Sequence, residues 1–334
     1  MFKTPQFWQN KNLISFILLP FSLVYKFIFF IKQKCSKPLI VKIPTICIGN
    51  ISAGGAGKTP FALKLGKILI ENNINFCYLT RGYNAKNSAN IFLPKNSDIS
   101  VDKIGDEPIL LNEISSVMVA KNRQIGYQEI QQKSLFEAII MDDGLQNFQL
   151  KTHIKILVID SKIGFGNNFL LPSGPLRQSL TSIAKDIDFF VIIGEKNLKI
   201  ISQIEKFVKN PSIIYGKVVA KNLSDFVDKK LIAFCGIGYP QKFFDELRKN
   251  GLNVIKEISF ADHHNYKFSE IENLLNLSKQ NDCQLITTKK DWVKFSPSQQ
   301  NLIKFFDIEL EFDNIDCIIN SIKKIIKNVE QNKF

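Results

Sequence analysis

The chain has 334 residues with a formal net charge of +13; 45% of its residues are hydrophobic and 22% charged. That apolar fraction supports real cores and excludes a wholly disordered chain, and the length suits about two domains. Six cysteines stand singly with no CxxC pair, which argues against a disulfide scaffold or zinc site and fits a reducing compartment.

The first 42 residues carry seven lysines and no Asp or Glu. They also hold the longest apolar run, Leu13 to Ile31, broken only by Ser15, Pro20, Ser22 and Lys26. As one helix this run would span about 28 Å, near the thickness of a bilayer core. Lys32, Lys34 and Lys37 follow it, as on a cytoplasmic flank facing anionic lipid. No small-residue cleavage site follows, so the segment reads as an uncleaved anchor or an interfacial helix, residues 1–36. A buried amphipathic helix is the bland alternative. The basic residues accompany an apolar helix and not a groove-binding motif, which speaks against nucleic acid as a partner.

From residue 37 short apolar runs alternate with helix-length segments. Strands are expected at Thr45–Ile48, Phe76–Thr80, Val117–Ala120, Ala138–Met141, Lys155–Ile159 and Asp188–Ile193, with helices at Pro60–Glu71, Glu107–Ser115 and Gln124–Lys133. A polar linker is expected at 216–230. Beyond it come strands Leu231–Cys235, Val254–Ser259, Gln284–Thr287 and Ile308–Phe312, and helices Gln241–Asn250, Ser269–Ser278 and Asp316–Val329. The pattern predicts an α/β protein with two α/β/α units, 37–215 of P-loop type and a smaller one at 231–330.

Ser52-Ala53-Gly54-Gly55-Ala56-Gly57-Lys58-Thr59 lies between an expected strand and an expected helix. Glycines let backbone N–H groups wrap a phosphate, and the helix N-terminus adds its dipole. Lys58 would contact the β- and γ-phosphates of ATP, and the Thr59 hydroxyl would hold Mg²⁺. Ser52 stands where the GxxxxGK[ST] pattern has its first glycine. Pro60 suits the first turn of the helix.

Asp142 and Asp143 end an apolar strand, the Walker B position for a metal ligand, although Asp142-Asp143-Gly144 is also good turn chemistry. In Gly105-Asp106-Glu107-Pro108, Asp106 reads locally as a helix N-cap. A phosphoryl transferase also needs a carboxylate to take the acceptor's proton, and Asp106 is a candidate. His263 and His264 read locally as loop histidines. Only four arginines stand against 40 lysines. Arg81, Arg123 and Arg177 fall in or beside loops of the first unit and are candidates for bidentate phosphate recognition.

Together these residues resemble the tetraacyldisaccharide 4'-kinase family of Gram-negative bacteria. The resemblance rests on Gly49-Asn50-Ile51 leading into GGAGKTP, Thr80-Arg81-Gly82-Tyr83, Gly105-Asp106-Glu107-Pro108, Asp142-Asp143-Gly144-Leu145-Gln146, LPSGPLR to Arg177, Gly236-Ile237-Gly238-Tyr239-Pro240, ADHH to His264, and TTKKDWVK from Thr287. It implies transfer of the γ-phosphate of ATP, with Mg²⁺, to the 4'-hydroxyl of a tetraacyldisaccharide 1-phosphate, giving lipid IVA at the cytoplasmic face of the bacterial inner membrane. It implies catalytic roles for Asp106, His263 and Lys58, metal ligation by Thr59, Asp142 or Asp143, and substrate contacts by Arg81, Glu107, Arg123, Gln146 and Arg177. The implied partners are the acylated lipid and the membrane surface, with no obligate protein partner. Three positions depart from the family's pattern: Asn147 for His, Gln178 for Glu and Lys289 for Glu. A soluble P-loop ATPase or ligase, or a nucleotide-gated membrane-binding module, would share the phosphate loop.

Overall fold

The computed structural model describes residues 5–82 and 90–331; Tyr83 of the TRGY run and the first four residues lie outside them. In chain order the strands are β1 (Leu39–Ile40), β2 (Thr45–Gly49), β3 (Phe76–Thr80), β4 (Ile91–Leu93), β5 (Ser116–Val119), β6 (Ala138–Met141), β7 (Leu150–Lys151), β8 (Ile154–Asp160), β9 (Phe189–Ile193), β10 (Ile213–Ala220), β11 (Lys230–Cys235), β12 (Asn253–Ser259), β13 (Gln284–Thr288), β14 (Ile303–Phe306) and β15 (Ile308–Phe312).

Nine of them form one sheet in the order β15-β10-β9-β8-β2-β6-β3-β5-β4. Its interior pairs are parallel, and only the two edge pairs, β10 with β15 and β4 with β5, run antiparallel. Every residue of β2, β3, β6 and β9 is buried. That is why these runs are continuously apolar: helices cover both faces of a parallel sheet, so neither face can carry polar side chains. On one face Phe61, Leu65 and Leu69 of the helix Lys58–Glu71 pack against Ile46, Ile48 and Val158; on the other Tyr127 and Ile130 meet Cys77 and Leu79. A second, wholly parallel sheet has the order β12-β11-β13-β14.

The last strand and helix depart from the expected grouping. Ile308–Phe312 pairs with β10 at the edge of the larger sheet, and the helix Asp316–Gln331 buries Ile318, Ile319, Ile322 and Ile326 in the core around Phe61. The chain thus leaves the four-stranded sheet at Phe306 and returns to the nine-stranded one. The expected linker at 216–230 begins inside β10, which runs to Ala220, and its remainder contains the short 3-10 turn Leu223–Phe226.

The apolar N-terminal run is not one helix. It breaks at Leu18 into Leu13–Ile17 and Leu19–Cys35. Pro20 is the second residue of the latter and has no N–H for the carbonyl four residues back. Among the described residues no helix is long and apolar enough to cross a membrane. The helix pair is inverted relative to an ordinary surface helix. Ser15 and Ser22 are its buried residues, while Phe21, Leu23, Val24, Phe27 and Ile28 are all more than half exposed. The Ser22 hydroxyl is 2.8 Å from the Leu170 carbonyl and 2.7 Å from Ser173 Oγ, and Tyr25 donates to the Arg177 carbonyl at 3.0 Å.

Candidate active site

β2 lies between β8 and β6, and loops at the carboxyl ends of these strands converge, as ligand-binding loops do in open α/β sheets. The turn after β2 is the phosphate loop. Gly54 and Gly57 hold φ of 114° and 87°, a region that side chains disfavour, and a Cβ on Gly57 would lie 2.6 Å from Ile193 Cδ1. Asn50, buried at the loop's start, donates to the Ser52 carbonyl at 2.6 Å and accepts from Lys58 Nζ at 3.0 Å. Gln146 Nε2 donates to the Asn50 carbonyl at 2.9 Å. The LPSGPLR segment braces the same loop: Ala53 N donates to Pro175 O and Arg177 N to Ile51 O, both at 2.7 Å.

After β6 the two carboxylates part. Asp143 adopts φ of 50°, lines the cavity, and lies 3.3 Å from both Lys58 Nζ and Arg177 Nη1. Burial alone would raise its pKa, but these two cations hold it below the usual carboxylate range. Asp142 is buried and accepts from Asp143 N at 3.0 Å. Burial, then Glu107 and Asp143, push its carboxyl well above the usual range. Arg123 is buried, not free in a loop. It donates to the Asp142 carbonyl at 3.0 Å and the Ala120 carbonyl at 3.3 Å. Its guanidinium ties the ends of β5 and β6 together, a backbone-bracing position and not the exposed loop expected.

Across the cleft stand the carboxyl ends of β11, β12 and β13. The residues after β12 bring His263, at φ of 56°, to Asp106, with Nδ1 3.0 Å from both carboxylate oxygens. Asp106 is not an N-cap; Gly105 at φ of 90° occupies that position and Asp106 begins the helix Asp106–Asn112. Burial would raise the Asp106 pKa, yet the His263 hydrogen bond and the charges of Lys290 and Lys294 overcome it and bring it down to about 2. Lys294 lies 3.4 Å from Asp106 and 2.8 Å from buried Asp291, which also accepts from Gly236 N and the Thr288 hydroxyl. Lys290 Nζ is 3.2 Å from both Glu107 and His263 Nε2. Further pairs, Lys242 with Asp160 and Lys289 with Glu113, join the two sheets' loops. A Cβ on Gly238 would come within 3.9 Å of Gly55 N, so the GIGYP turn closes on the phosphate loop.

Between these loops is a cavity of about 490 Å³, lined by Gly54 through Thr59 and by Glu107, Asp143, Arg177, His263 and Lys290. The structure thus brings the expected Lys58, Thr59, Asp143, Glu107, Arg177 and His263 to one space, with Asp106 behind His263. Arg81 is exposed at the end of β3 and Gln146 serves the loop backbone. His264 pairs with Glu270 at 2.9 Å and stacks on Phe260, outside the cavity. Asn147 closes a turn with Gln149, Gln178 is buried, and Lys289 takes the Glu113 ion pair. Asn50, Lys290 and Lys294 lie in the quoted GNI and TTKKDWVK runs but were assigned no role, and Asp160 and Lys242 were not singled out; single lysines among forty carry little local signal. For a magnesium ion, which prefers hard oxygen ligands and retains phosphate and water oxygens, the Thr59 hydroxyl and Asp143 carboxylate are a fitting donor pair in one cavity. Among the described residues no three His, Cys, Asp or Glu side chains group as a metal cage.

The family model described as Tetraacyldisaccharide-1-P 4'-kinase matches residues 14–327. A tetraacyldisaccharide 4'-kinase of Rickettsia canadensis (strain McKiel) is 35% identical over 323 residues, spanning 96% of each chain. One of Rickettsia typhi is 34% identical over 320 residues, 96% of this chain and 98% of the relative. Among solved structures, LpxK from Aquifex aeolicus in complex with ATP superposes with a TM-score of 0.76 at 25% identity, over 94% of this chain and all of the other.

Proposed function

The chain belongs to the tetraacyldisaccharide-1-P 4'-kinase family and is a kinase of lipid A biosynthesis, and on that footing we propose how its residues carry out the transfer. ATP occupies the cavity of about 490 Å³. Its β- and γ-phosphates lie against backbone N–H groups between Gly54 and Lys58 and against the Lys58 ammonium. The Thr59 hydroxyl and Asp143, with Asp142 behind it, hold Mg²⁺, which neutralises charge on the phosphates when bound. Arg177, 3.3 Å from Asp143, is within reach of the same charge.

Asp106 accepts the proton of the sugar's 4'-hydroxyl as that oxygen bonds to the γ-phosphorus and the bond to ADP breaks. A carboxylate brought down to about 2 is a weak base. Its contribution is therefore mainly orientation of the hydroxyl, with proton transfer late, as suits a loose phosphoryl-transfer transition state. His263 orients Asp106 and arrives only when the β11–β14 unit stands against the phosphate loop. Residues 1–36 act as an interfacial segment that lays its exposed apolar side chains in the cytoplasmic leaflet of the inner membrane, and the site beside it meets the sugar of an acylated lipid. The segment 37–220, through the end of β10, with the returning β15 and last helix forms the P-loop unit, and the β11–β14 sheet with its helices the smaller one.

The observation that carries this reading is the 3.0 Å contact of His263, in the turn after β12, with Asp106, at the start of the helix Asp106–Asn112, beside a phosphate loop. The test is purified protein in detergent with γ-labelled ATP, Mg²⁺ and tetraacyldisaccharide 1-phosphate, followed by chromatography of the lipid. Label should enter lipid, vanish with Lys58→Ala, and enter about 10²- to 10⁴-fold more slowly with Asp106→Ala at little changed ATP KM. Label released only as free phosphate would point to an ATPase, and unchanged kcat in Asp106→Ala would remove Asp106 from its role.

A further inference from the structure

We propose that Lys290 is a positioning residue that sets the tautomer of His263. The inference rests on the reading of Asp106 and His263 given above. Its ground is the geometry on the far side of the imidazole. His263 Nδ1 faces the Asp106 carboxylate at 3.0 Å, and Nε2 faces the Lys290 ammonium at 3.2 Å. An ammonium carries donors and no acceptor. Nε2 must therefore be the bare, accepting nitrogen, and the ring proton sits on Nδ1, donated to Asp106. The Nδ1–H donor then lies between the two Asp106 oxygens, 3.0 Å from each, and leaves their remaining acceptor directions for the sugar hydroxyl.

Lys290 is itself fixed. Its Nζ lies 3.2 Å from Glu107 and 4.0 Å from Asp262. Burial would lower its pKa, but Glu107, Asp106 and Asp262 together raise it, so the donor stays charged. Among the described residues the charged groups near the ring include Asp106 and Glu107 from the helix Asp106–Asn112, Asp262 on its own turn, with Oδ1 3.8 Å from Nε2 and so beyond hydrogen-bond reach, and Lys290 and Lys294 beyond β13. Glu107 belongs to the P-loop unit and Lys290 to the β11–β14 unit. The pair therefore couples approach of the two units to the tautomer that Asp106 requires.

The other two histidines provide internal references. His153 Nδ1 accepts from Thr45 N at 3.2 Å, and His264 Nε2 lies 2.9 Å from the Glu270 carboxylate, so both carry their proton on Nε2 when neutral. The chain has three histidines, and His263 is then the single Nδ1–H ring.

The test is NMR of the full-length protein in detergent with isotope-labelled histidine, read beside steady-state kinetics. In the parent protein one imidazole of three should report Nδ1–H at neutral pH. Lys290→Met should convert it to Nε2–H or to imidazolium and lower kcat by about 10- to 100-fold, with ATP KM changed little. Lys290→Arg, which keeps charge and donors, should retain the Nδ1–H signal and most of kcat. An unaltered Nδ1–H signal in Lys290→Met, or three Nε2–H rings in the parent, would overturn the proposal. So would a raised ATP KM with intact kcat, which would make Lys290 a nucleotide ligand. A failure of Asp106→Ala to slow turnover would instead strike the assignment of Asp106, and the tautomer would still be read from the spectrum.

Discussion

Replacing Phe27 with Ser probes the inverted N-terminal helix without touching the catalytic loops. Phe27 is 63% exposed, so its removal costs the fold little. A Phe side chain presents about 200 Å², of which about 130 Å² is then open. At about 25 cal/mol per Å² its full immersion in hydrocarbon is worth about 3 kcal/mol. An interfacial helix sinks only part of the way, which brings the expected loss to about 1.5 kcal/mol, or about tenfold in membrane partition. Sedimentation with vesicles containing anionic lipid reads that ratio directly, and activity in detergent reports that the site is intact. Leu198 is the control: it is 72% exposed but lies on a different helix. Leu198→Ser should leave partition unchanged. Equal partition of Phe27→Ser and the parent, or equal losses in both variants, would refute the assignment of that face to lipid.

Three further outcomes follow from the buried charges. Asp106, brought from 3.8 to about 2, stabilises the fold above pH 4, and this stabilisation fades as pH falls toward 2. Asp106→Asn should therefore cost about 2 kcal/mol at neutral pH in chemical denaturation and flatten the loss between pH 4 and 2. Asp142 has the opposite sign. With its pKa raised by burial, Glu107 and Asp143, its ionisation destabilises the fold as pH rises past the usual carboxylate range, so Asp142→Asn should raise Tm at neutral pH without Mg²⁺ while reducing transfer to lipid. Arg123→Met should destabilise by about 2–4 kcal/mol, measured by urea unfolding, because it leaves the Asp142 and Ala120 carbonyls without their buried donor.

Much of the first sheet was legible because its strands are buried on both faces. Phe76–Thr80 and Ala138–Met141 occur with the bounds expected from their apolar runs, and the phosphate loop follows its strand as anticipated. Allegiance of the chain's end was not legible. An amphipathic helix such as Asp316–Gln331 has the same pattern whichever sheet it covers, and only the distant Phe61 core decides. The position of Arg123 beside a loop does not reveal that its side chain turns inward. Asp106 and His263 are 157 residues apart and each has an ordinary local reading. Their pairing is a property of the closed cleft, visible in the sequence only through resemblance to whole relatives.

The same segment that braces the phosphate loop also carries the N-terminal helix: Ser22 and Tyr25 hold the carbonyls of Leu170 and Arg177, and Arg177 reaches Asp143. With the apolar face in a leaflet, the site is held at one depth and one tilt, and encounters occur in a plane. Turnover would then follow the mole fraction of acylated substrate in that plane and not its amount per volume. Adding inert lipid or detergent at constant bulk substrate would slow the enzyme, although no residue of the site had changed.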